Sequence, residues 1–461
     1  MMAEYSLTPV NVPRIETKFR SIRTALPVPE TLPLFERLRK SEPRSMSGQP
    51  PIVWHSAKDF TVSDKYGNRW IDWSSGVLIT NAGHGNDRIE AKLREMIDQS
   101  LLATYCFVHE GRVELVEKLQ AHAPDPENYT VFLLSTGSEA TENCIKLAKT
   151  YALKKYGPSR KYFISFSSGF HGRTMGSQLA GGWQNQKEWI VDGDRTFIQV
   201  PFPDGFRNTD VSFDTFLNTL KERNIRPEEI AGVMCESYQG GGPDFLPVEY
   251  ARSLEAFCRK YDIVLAMDEV QAGFGRTGKW FAFEHYGIKP DLIPCGKGIS
   301  SSLPISAVIG RRDIMDLYAP GSMTSTHSAS PLPVAAALEN IKVLESEDLT
   351  GNAAKLGEIL QSGIARIRAK YPENLTWCGG KGLVAGIRCT KGDKQPDPET
   401  SQKINLQCLY RGLLMFAPVG TGGECVKIAP PLCITEDALR ESLQVLEEAC
   451  DAVFTGKDYY C

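Results

Sequence analysis

The chain has 461 residues and a formal net charge of -4, from 52 lysines and arginines against 56 aspartates and glutamates. This length is enough for a substantial core and for two or three structural units. The nearly balanced charge gives no indication of a nucleic-acid or membrane partner. The 12 cysteines are spread singly along the chain, with no CxxC pair. We therefore expect a reducing compartment and no bound metal.

The N-terminus carries no recognisable export signal. It contains an early acid, Glu4, and no apolar core segment, and no stretch of the chain reaches 18 consecutive apolar residues. We predict a cytoplasmic protein. The arginines and serines of residues 14–47 leave an organelle transit segment open, although prolines and acids are frequent there too.

The elements follow one another in a regular order after a Pro-rich start. Residues 1–50 show little periodicity, which predicts an extended arm that wraps another part of the protein or a partner subunit. From Phe60, two short strands flank a Gly-Asn turn and predict a small antiparallel element. Apolar runs then alternate with helical patterns such as 138–156 and 248–261, and the runs lie at 130–134, 161–166, 230–235, 262–267 and 291–295. This alternation predicts a mostly parallel sheet.

After Ile309 the pattern becomes largely helical, at Pro331–Glu347 and Asn352–Lys370. The final stretch returns to mixed strand and helix, with a closing helix predicted at Glu436–Phe454. We predict an α/β fold with a large domain around a mostly parallel central sheet and a smaller α+β domain from both termini. The predicted boundaries give an N-terminal arm and part of the small domain at 1–75, the large domain at 76–340 and the C-terminal small domain at 341–461.

Two predicted strands end next to an acid and a lysine. The run 262–267 is apolar after its first residue, as in a strand covered on both faces, and leads to Asp268. The run 291–295 leads to Lys297, which lies 29 positions after Asp268 among glycines. Ligands bind at the carboxyl edge of such a sheet, so we expect the two side chains to share a site.

An acid and an amine at one site suit pyridoxal 5'-phosphate. The acid keeps the ring nitrogen protonated, and the lysine holds the aldehyde as a Schiff base. For an isolated pair, the simpler interpretation is that Asp268 caps a helix and that Lys297 is a solvated loop residue. Two further motifs favour a pyridoxal-phosphate site. They also lie within 76–340, so we predict that this large domain binds the cofactor.

The first motif, Ser135–Glu142, follows an apolar strand and opens a helix. Gly137 and Ser138 would present N–H groups and a hydroxyl at the positive end of that helix, as in a phosphate site. The same residues also fit an ordinary capping box, and both interpretations stay open here.

The second motif, Gly169–Gly176, places Phe170, His171 and Arg173 on a tight turn after another strand. Phe170 is suited to stack on a cofactor ring, although a lone aromatic residue is more often part of a core.

Together these segments resemble the class III pyridoxal-phosphate aminotransferases, and within them the 4-aminobutyrate aminotransferases, over roughly residues 50–450. The most specific block is DEVQAGFGRTG at Asp268–Gly278, followed by the lysine of CGKGISS. The resemblance implies fold type I, a homodimer with active sites at the subunit interface, and a cofactor held covalently by Lys297.

The resemblance also implies cofactor contacts at matching positions. Asp268 would pair with the ring nitrogen and Gln271 with the ring hydroxyl. The remaining implied contacts are Gly137 and Ser138 on the phosphate, Phe170 on the ring, His171 and Glu236 beside it, and Thr326 on the phosphate of the neighbouring subunit. At Thr326 the match is imperfect, because the family usually has Gly-Gly-Asn-Pro where this chain has Ser325–Pro331.

On the substrate side, Arg173 matches the arginine that holds the distal carboxylate of 4-aminobutyrate, and Val77 matches a residue that shapes the pocket. Glu236 matches a gate that pairs with a second arginine until an α-carboxylate arrives. Lys427 stands in place of that second arginine.

The lysine matters because arginine binds a carboxylate through two parallel hydrogen bonds, whereas lysine is a compact, strongly hydrated charge. Lys427 predicts a weaker or relocated α-carboxylate site, or a conservative replacement with water in the gap. Lysine also occurs here in a side branch that eliminates phosphate from phosphorylated amino alcohols, but that branch tends to lack the arginine at Arg173.

We predict a ping-pong aminotransferase that moves the amino group of an ω-amino acid, such as 4-aminobutyrate, or of a related amine to a 2-oxo acid. Lys297 would serve as covalent anchor and as acid and base. The alternatives are a phospho-lyase or epimerase on the same scaffold, and a noncatalytic binding protein, against which Asp268, Gln271 and Lys297 argue. The choice between pyruvate and 2-oxoglutarate as acceptor stays open.

Overall fold

The computed structural model describes residues 4–191 and 193–461, which fall into two compact units. One unit consists of the described part of Met1–Asn86 together with Gly351–Cys461, and the other is Asp87–Thr350. The predicted partition into 1–75, 76–340 and 341–461 stays a prediction.

The strands, in chain order, are β1 Ile15–Glu16, β2 Ser21–Ile22, β3 Ser56–Lys58, β4 Thr61–Ser63, β5 Arg69–Asp72, β6 Tyr129–Leu134, β7 Tyr162–Phe166, β8 Phe197–Val200, β9 Ile230–Glu236, β10 Tyr238–Gln239, β11 Asp244–Phe245, β12 Val264–Asp268, β13 Leu292–Cys295, β14 Ser306–Arg311, β15 Leu375–Lys381, β16 Val384–Lys391, β17 Gln395–Pro396, β18 Leu413–Leu414 and β19 Cys425–Ile428.

The α-helices are α1 Leu32–Ser41, α2 Ser75–Leu78, α3 Asp87–Asp98, α4 Glu110–Ala121, α5 Gly137–Tyr156, α6 Met175–Ala180, α7 Asp214–Glu222, α8 Val248–Tyr261, α9 Arg312–Met315, α10 Pro331–Ser346, α11 Leu349–Lys370, α12 Pro398–Tyr410 and α13 Glu436–Thr455. Among the described residues, none of these helices combines the length and the apolar composition needed to cross a bilayer.

The unit Asp87–Thr350 is built on a seven-stranded sheet with the order β6-β14-β13-β12-β9-β7-β8. Strands β13, β12, β9, β7 and β8 run parallel, and only β14 is antiparallel to its neighbours β13 and β6. Every residue of β9, β12 and β13 is buried, as expected of parallel strands that are covered on both faces. Helix α5 packs on β9, β13 and β14, and α8 packs on β12.

The predicted mostly parallel sheet is confirmed. The five apolar runs coincide with β6, β7, β9, β12 and β13, and the helical patterns at 138–156 and 248–261 coincide with α5 and α8. Strands β8 and β14 were not among the predicted runs.

The other unit contains a six-stranded sheet, β1-β2-β5-β4-β3 with β18 beside β5, and a four-stranded sheet, β15-β16-β17 with β19 beside β16. The predicted antiparallel element after Phe60 is the β4–β5 pair, in which Val62 lies opposite Trp70. The expectation of an extended arm over residues 1–50 is wrong for α1, Leu32–Ser41. This helix tolerates Pro33 because the proline lies in its first turn.

Candidate functional site

A cavity of about 500 Å³ lies at the carboxyl edge of the seven-stranded sheet. Nine of the predicted site residues line it: Gly137, Ser138, Phe170, His171, Arg173, Glu236, Asp268, Gln271 and Lys297. All of them belong to the unit Asp87–Thr350.

The strand ends place the charged residues at one edge. Glu236 is the last residue of β9, Asp268 is the last residue of β12, and the two are register partners in the parallel pair. Lys297 follows the end of β13 by two residues. Because parallel strands end at the same edge, residues 29 and more positions apart in the chain meet in one cavity.

Asp268 is held by a buried histidine and by its own turn. Its Oδ2 lies 2.8 Å from Nδ1 of His171, and its Oδ1 accepts a hydrogen bond of 3.0 Å from the N–H of Val270. Burial lowers the pKa of His171, but the hydrogen bond and charge of Asp268 and the charge of Glu236 outweigh it, so the pKa of His171 is raised. The raised pKa of His171 increases the positively charged fraction of the imidazole beside Asp268.

Glu236 is a second buried carboxyl group at this edge. Its two oxygens accept hydrogen bonds of 2.9 Å from the N–H groups of Phe170 and Gly240. Burial raises the pKa of Glu236 to about 7, with the charge of Asp268 acting in the same direction and that of His171 against it. The side chain therefore changes charge near neutral pH.

Lys297 lines the cavity and has two unusual properties. Burial lowers the pKa of its amine, although the charges of Asp268 and Glu236 act in the opposite direction. Its backbone has φ 44°, in the left-handed region that residues other than glycine rarely adopt. A lowered pKa increases the neutral fraction of the amine, which is the nucleophilic form.

The start of helix α5 also lines the cavity. Thr136 and Glu139 complete a capping box, with hydrogen bonds of 3.2 and 2.8 Å. The capping interpretation is therefore confirmed, and the first-turn N–H groups of Gly137 and Ser138 are ones that a helix cannot satisfy internally. A Cβ atom at Gly137 would lie 2.7 Å from the side chain of Val270, so only glycine allows this close approach.

Arg173 lies in the turn Gly172–Ser177, which comprises the end of the connection from β7 and the first residues of α6. Its side chain is exposed, and its guanidinium carbon lies 5.5 Å from the centre of the Phe170 ring. A cation is thus available at the cavity for an anionic group of a ligand.

Three predicted residues lie elsewhere. Thr326 is exposed and does not line the cavity within this chain. Val77 and Lys427 belong to the other unit: Val77 lies in α2 with φ 65°, and Lys427 is a buried residue of β19 opposite Gly386.

The cavity also includes four residues that the sequence analysis did not single out: Thr136, Gly172, Thr174 and Val270. Each is a direct neighbour of a predicted position or lies inside the same motif. Their position beside the motif residues was the available signal.

The residues present fit pyridoxal phosphate. A carboxylate paired with a histidine, an amine of lowered pKa and a glycine-lined helix start meet in one cavity. The Nε2 atom of His171 is buried without a hydrogen-bond partner among the described residues, as at a site whose contacts are completed by another group.

Comparison with known proteins gives a consistent result. The Aminotransferase class-III family matches residues 44–450. The chain is 30% identical over 470 residues to an alanine/serine racemase of Pyrococcus horikoshii, covering 98% of this chain and 97% of that protein. It is also 30% identical over 442 residues to a 4-aminobutyrate aminotransferase of Mycobacterium leprae, covering 93% and 97%.

Among solved structures, a Bacillus anthracis aminotransferase matches 92% of this chain and 98% of its own length, with 28% identity and a TM-score of 0.83. The fold is therefore that of fold type I, as predicted. Family match, fold and cavity agree, and the chain belongs to the class III aminotransferases, as a pyridoxal-phosphate-dependent transaminase.

Proposed function

We propose that the protein is a ping-pong aminotransferase that takes the amino group of an ω-amino acid, such as 4-aminobutyrate, and passes it to a 2-oxo acid. The observation that carries this proposal is the exposed Arg173 at the cavity that also contains Lys297. An amine directed towards Lys297 and a distal carboxylate bound by Arg173 would describe an ω-amino acid.

The cofactor would be held by groups that line the cavity. Gly137 and Ser138 would bind its phosphate through the start of α5. Asp268, which lies 2.8 Å from His171, would bind the ring nitrogen, with Gln271 on the ring hydroxyl and Phe170 on the ring face. By its place in the family motif, Thr326 would complete the phosphate site of a neighbouring subunit.

When bound, pyridoxal phosphate supplies a reactive aldehyde and an electron-withdrawing ring. Lys297 would anchor the resting cofactor and then carry a proton on its Nζ atom from the substrate carbon. The lowered pKa of Lys297 favours this role, because the neutral amine is the form that accepts a proton. Asp268 and His171 are buried, so water does not weaken the interaction between them.

Three residues would select the second substrate and shape the pocket by their place in the family motifs. Glu236 would act as the gate, Lys427 would bind the α-carboxylate more weakly than arginine does, and Val77 would limit the pocket.

A single-turnover assay tests the proposal. Purified holoenzyme is mixed with 4-aminobutyrate and no 2-oxo acid, and released succinic semialdehyde is measured. We expect one equivalent per bound cofactor, followed by further release only when pyruvate or 2-oxoglutarate is added. Absence of the aldehyde would exclude 4-aminobutyrate as donor, and continued release without an acceptor would exclude the ping-pong scheme.

Racemisation is a second candidate, because the alanine/serine racemase covers nearly the whole chain at the same identity as the aminotransferase. To distinguish a racemase from an aminotransferase, the enzyme is incubated with L-alanine or L-serine without a 2-oxo acid. The enantiomers of the amino acid are then measured by chiral chromatography. Appearance of the D-enantiomer over many turnovers would favour a racemase.

We further propose a homodimer. The segment before α4 exposes Leu102, Phe107 and Val108 to 54%, 78% and 77%, and a second copy would cover this apolar patch. Light scattering after size-exclusion chromatography measures the mass, and a monomer for the holoenzyme would contradict the proposal.

A further inference from the structure

Helix α5 presents three polar side chains to the turn that carries Arg173. Ser138, Thr141 and Glu142 are spaced i, i+3 and i+4, so they share one face of the helix. Each of them makes hydrogen bonds to the segment 171–177.

Glu142 makes the largest number of these contacts. Its Oε1 accepts hydrogen bonds from the Thr174 hydroxyl at 2.6 Å, from the Gly176 N–H at 2.8 Å and from the Ser177 N–H at 3.0 Å. These N–H groups belong to the first turn of α6, and the N-cap residue Thr174 makes no side-chain cap itself. A carboxylate from a different helix thus caps α6.

The other two side chains hold the beginning and end of the same segment. Ser138 Oγ accepts a hydrogen bond of 3.1 Å from the N–H of Arg173. Thr141 Oγ1 donates to the carbonyl of His171 at 2.6 Å and lies 2.7 Å from Ser177 Oγ.

The approach of the turn to the helix requires two glycines. A Cβ atom at Gly172 would overlap with Ser138 Oγ, and one at Gly176 would overlap with a carboxylate oxygen of Glu142. The helix face therefore approaches the backbone of the turn closely at Gly172 and Gly176, on either side of Arg173.

Arg173 itself is exposed, and its guanidinium group lies beside the ring of Phe170. A long side chain loses rotamer freedom when it binds a ligand, and a fixed backbone confines that loss to the side chain. The precision with which Arg173 can bind a carboxylate thus depends on what holds its turn.

We propose that Glu142 is a positioning residue for Arg173, and that recognition of the substrate's distal carboxylate depends on it. This inference rests on the proposed function. The first turn of helix α5 would then bind the cofactor phosphate, and its next turn would hold the segment that carries Arg173.

The test compares 4-aminobutyrate with propylamine, which has the same three-carbon chain on its amine but lacks the carboxylate. In Glu142→Ala holoenzyme we expect KM for 4-aminobutyrate to rise about tenfold or more, because three hydrogen bonds to a charged group are lost. KM for propylamine and the cofactor dissociation constant should change little. Thr174→Val, which removes one of the three bonds, should give a smaller rise and covers the case that Glu142→Ala fails to fold.

Hydrogen exchange gives a readout that does not depend on turnover. Peptides covering 172–180 should exchange faster in Glu142→Ala holoenzyme, since the Gly176 and Ser177 N–H groups lose their acceptor. Glu142→Gln keeps an acceptor oxygen and should restore most of the protection. Glu117→Gln is the matched control, because it makes the same charge change at an exposed position of α4.

The outcomes separate the two proposals. Equal KM increases for both amines, or unchanged exchange at 172–180, would overturn the role of Glu142. If wild-type enzyme does not distinguish 4-aminobutyrate from propylamine, the proposed function fails, and the specificity role of Glu142 fails with it. A rise confined to 4-aminobutyrate, together with faster exchange, supports both.

Discussion

The cavity floor and the turn Gly172–Ser177 are built in different ways. The floor, formed by His171, Glu236, Asp268 and Lys297, brings ionisable side chains together, and the charge of Asp268 acts on the pKa values of the other three. The turn is held through backbone N–H groups by one face of α5. Contacts at the floor shift the pKa values of its side chains, whereas contacts at the turn hold the backbone around Arg173 in place. Under the proposed function, chemistry and substrate recognition would rest on separate supports, strand ends for one and a helix face for the other.

The substitution with the largest expected effect is Lys297→Ala, which changes the floor and leaves the turn intact. We expect turnover to fall by at least about 10⁴-fold, because the acid and base is lost, while some noncovalent cofactor binding persists. Turnover is measured with saturating donor and acceptor, and retained cofactor by absorbance after dialysis. Retained wild-type turnover would place the chemistry elsewhere.

The second test concerns the charge of the floor. The pKa of Glu236 is raised in the folded protein from 4.5 to about 7, so the folded state binds this proton more tightly than the unfolded state does. The resulting stability is fully present below the unfolded pKa and is lost as pH rises to about 7. Relative to Glu236→Gln, we expect the wild-type free energy of unfolding to fall by about 3 kcal/mol across this range.

Denaturant unfolding of both proteins, without cofactor, at several pH values between about 4.5 and 8 measures this difference. Parallel pH profiles for wild type and Glu236→Gln would show that Glu236 does not titrate in this window.

The third test asks whether Arg173, in the turn, binds the distal carboxylate of the substrate. Arg173→Ala should raise KM for 4-aminobutyrate by about 100-fold, since a bidentate charged contact is lost. Arg173→Lys should be only partly active, because lysine lacks the planar fork. Steady-state kinetics with propylamine provide the control, and an equal loss with both amines would place Arg173 in the chemistry and not in recognition.

The smallest expected effect probes the backbone of the turn. Gly172 has φ 131° and no room for a Cβ atom beside Ser138, so Gly172→Ala should cost about 1–3 kcal/mol of stability. Gly157→Ala is a matched control at the C-terminal end of α5. There φ is 80° and no atom lies within 4 Å of the added Cβ. Equal losses in calorimetry would mean that backbone strain alone explains the effect.

Sequence reasoning predicted the strand ends at the floor, but not the contacts that hold the turn. The end of β12 at Asp268 followed from an apolar run, and the position of Lys297 followed from the next run, because strand periodicity and strand ends are local properties. The role of Glu142 was not predictable in the same way. Its partners lie 32 to 35 positions away, and no local pattern encodes that pairing.

Two other features were missed for physical reasons. Helix α1 lies in a Pro-rich region, and Pro33 masked a helix start that a first-turn proline allows. Strand β14 runs antiparallel between β13 and β6, and strand direction depends on the connections of the whole sheet, not on a local pattern.

The left-handed backbone at Lys297 has a consequence for the trade-off between stability and activity. A non-glycine residue in such a conformation costs about 1–3 kcal/mol, and a buried amine adds the cost of lost hydration. Glycine at this position would relieve both costs but would remove the reactive group. Selection for stability alone would therefore discard the lysine, and under the proposed function Lys297 would be a position where the protein gives up stability for catalysis.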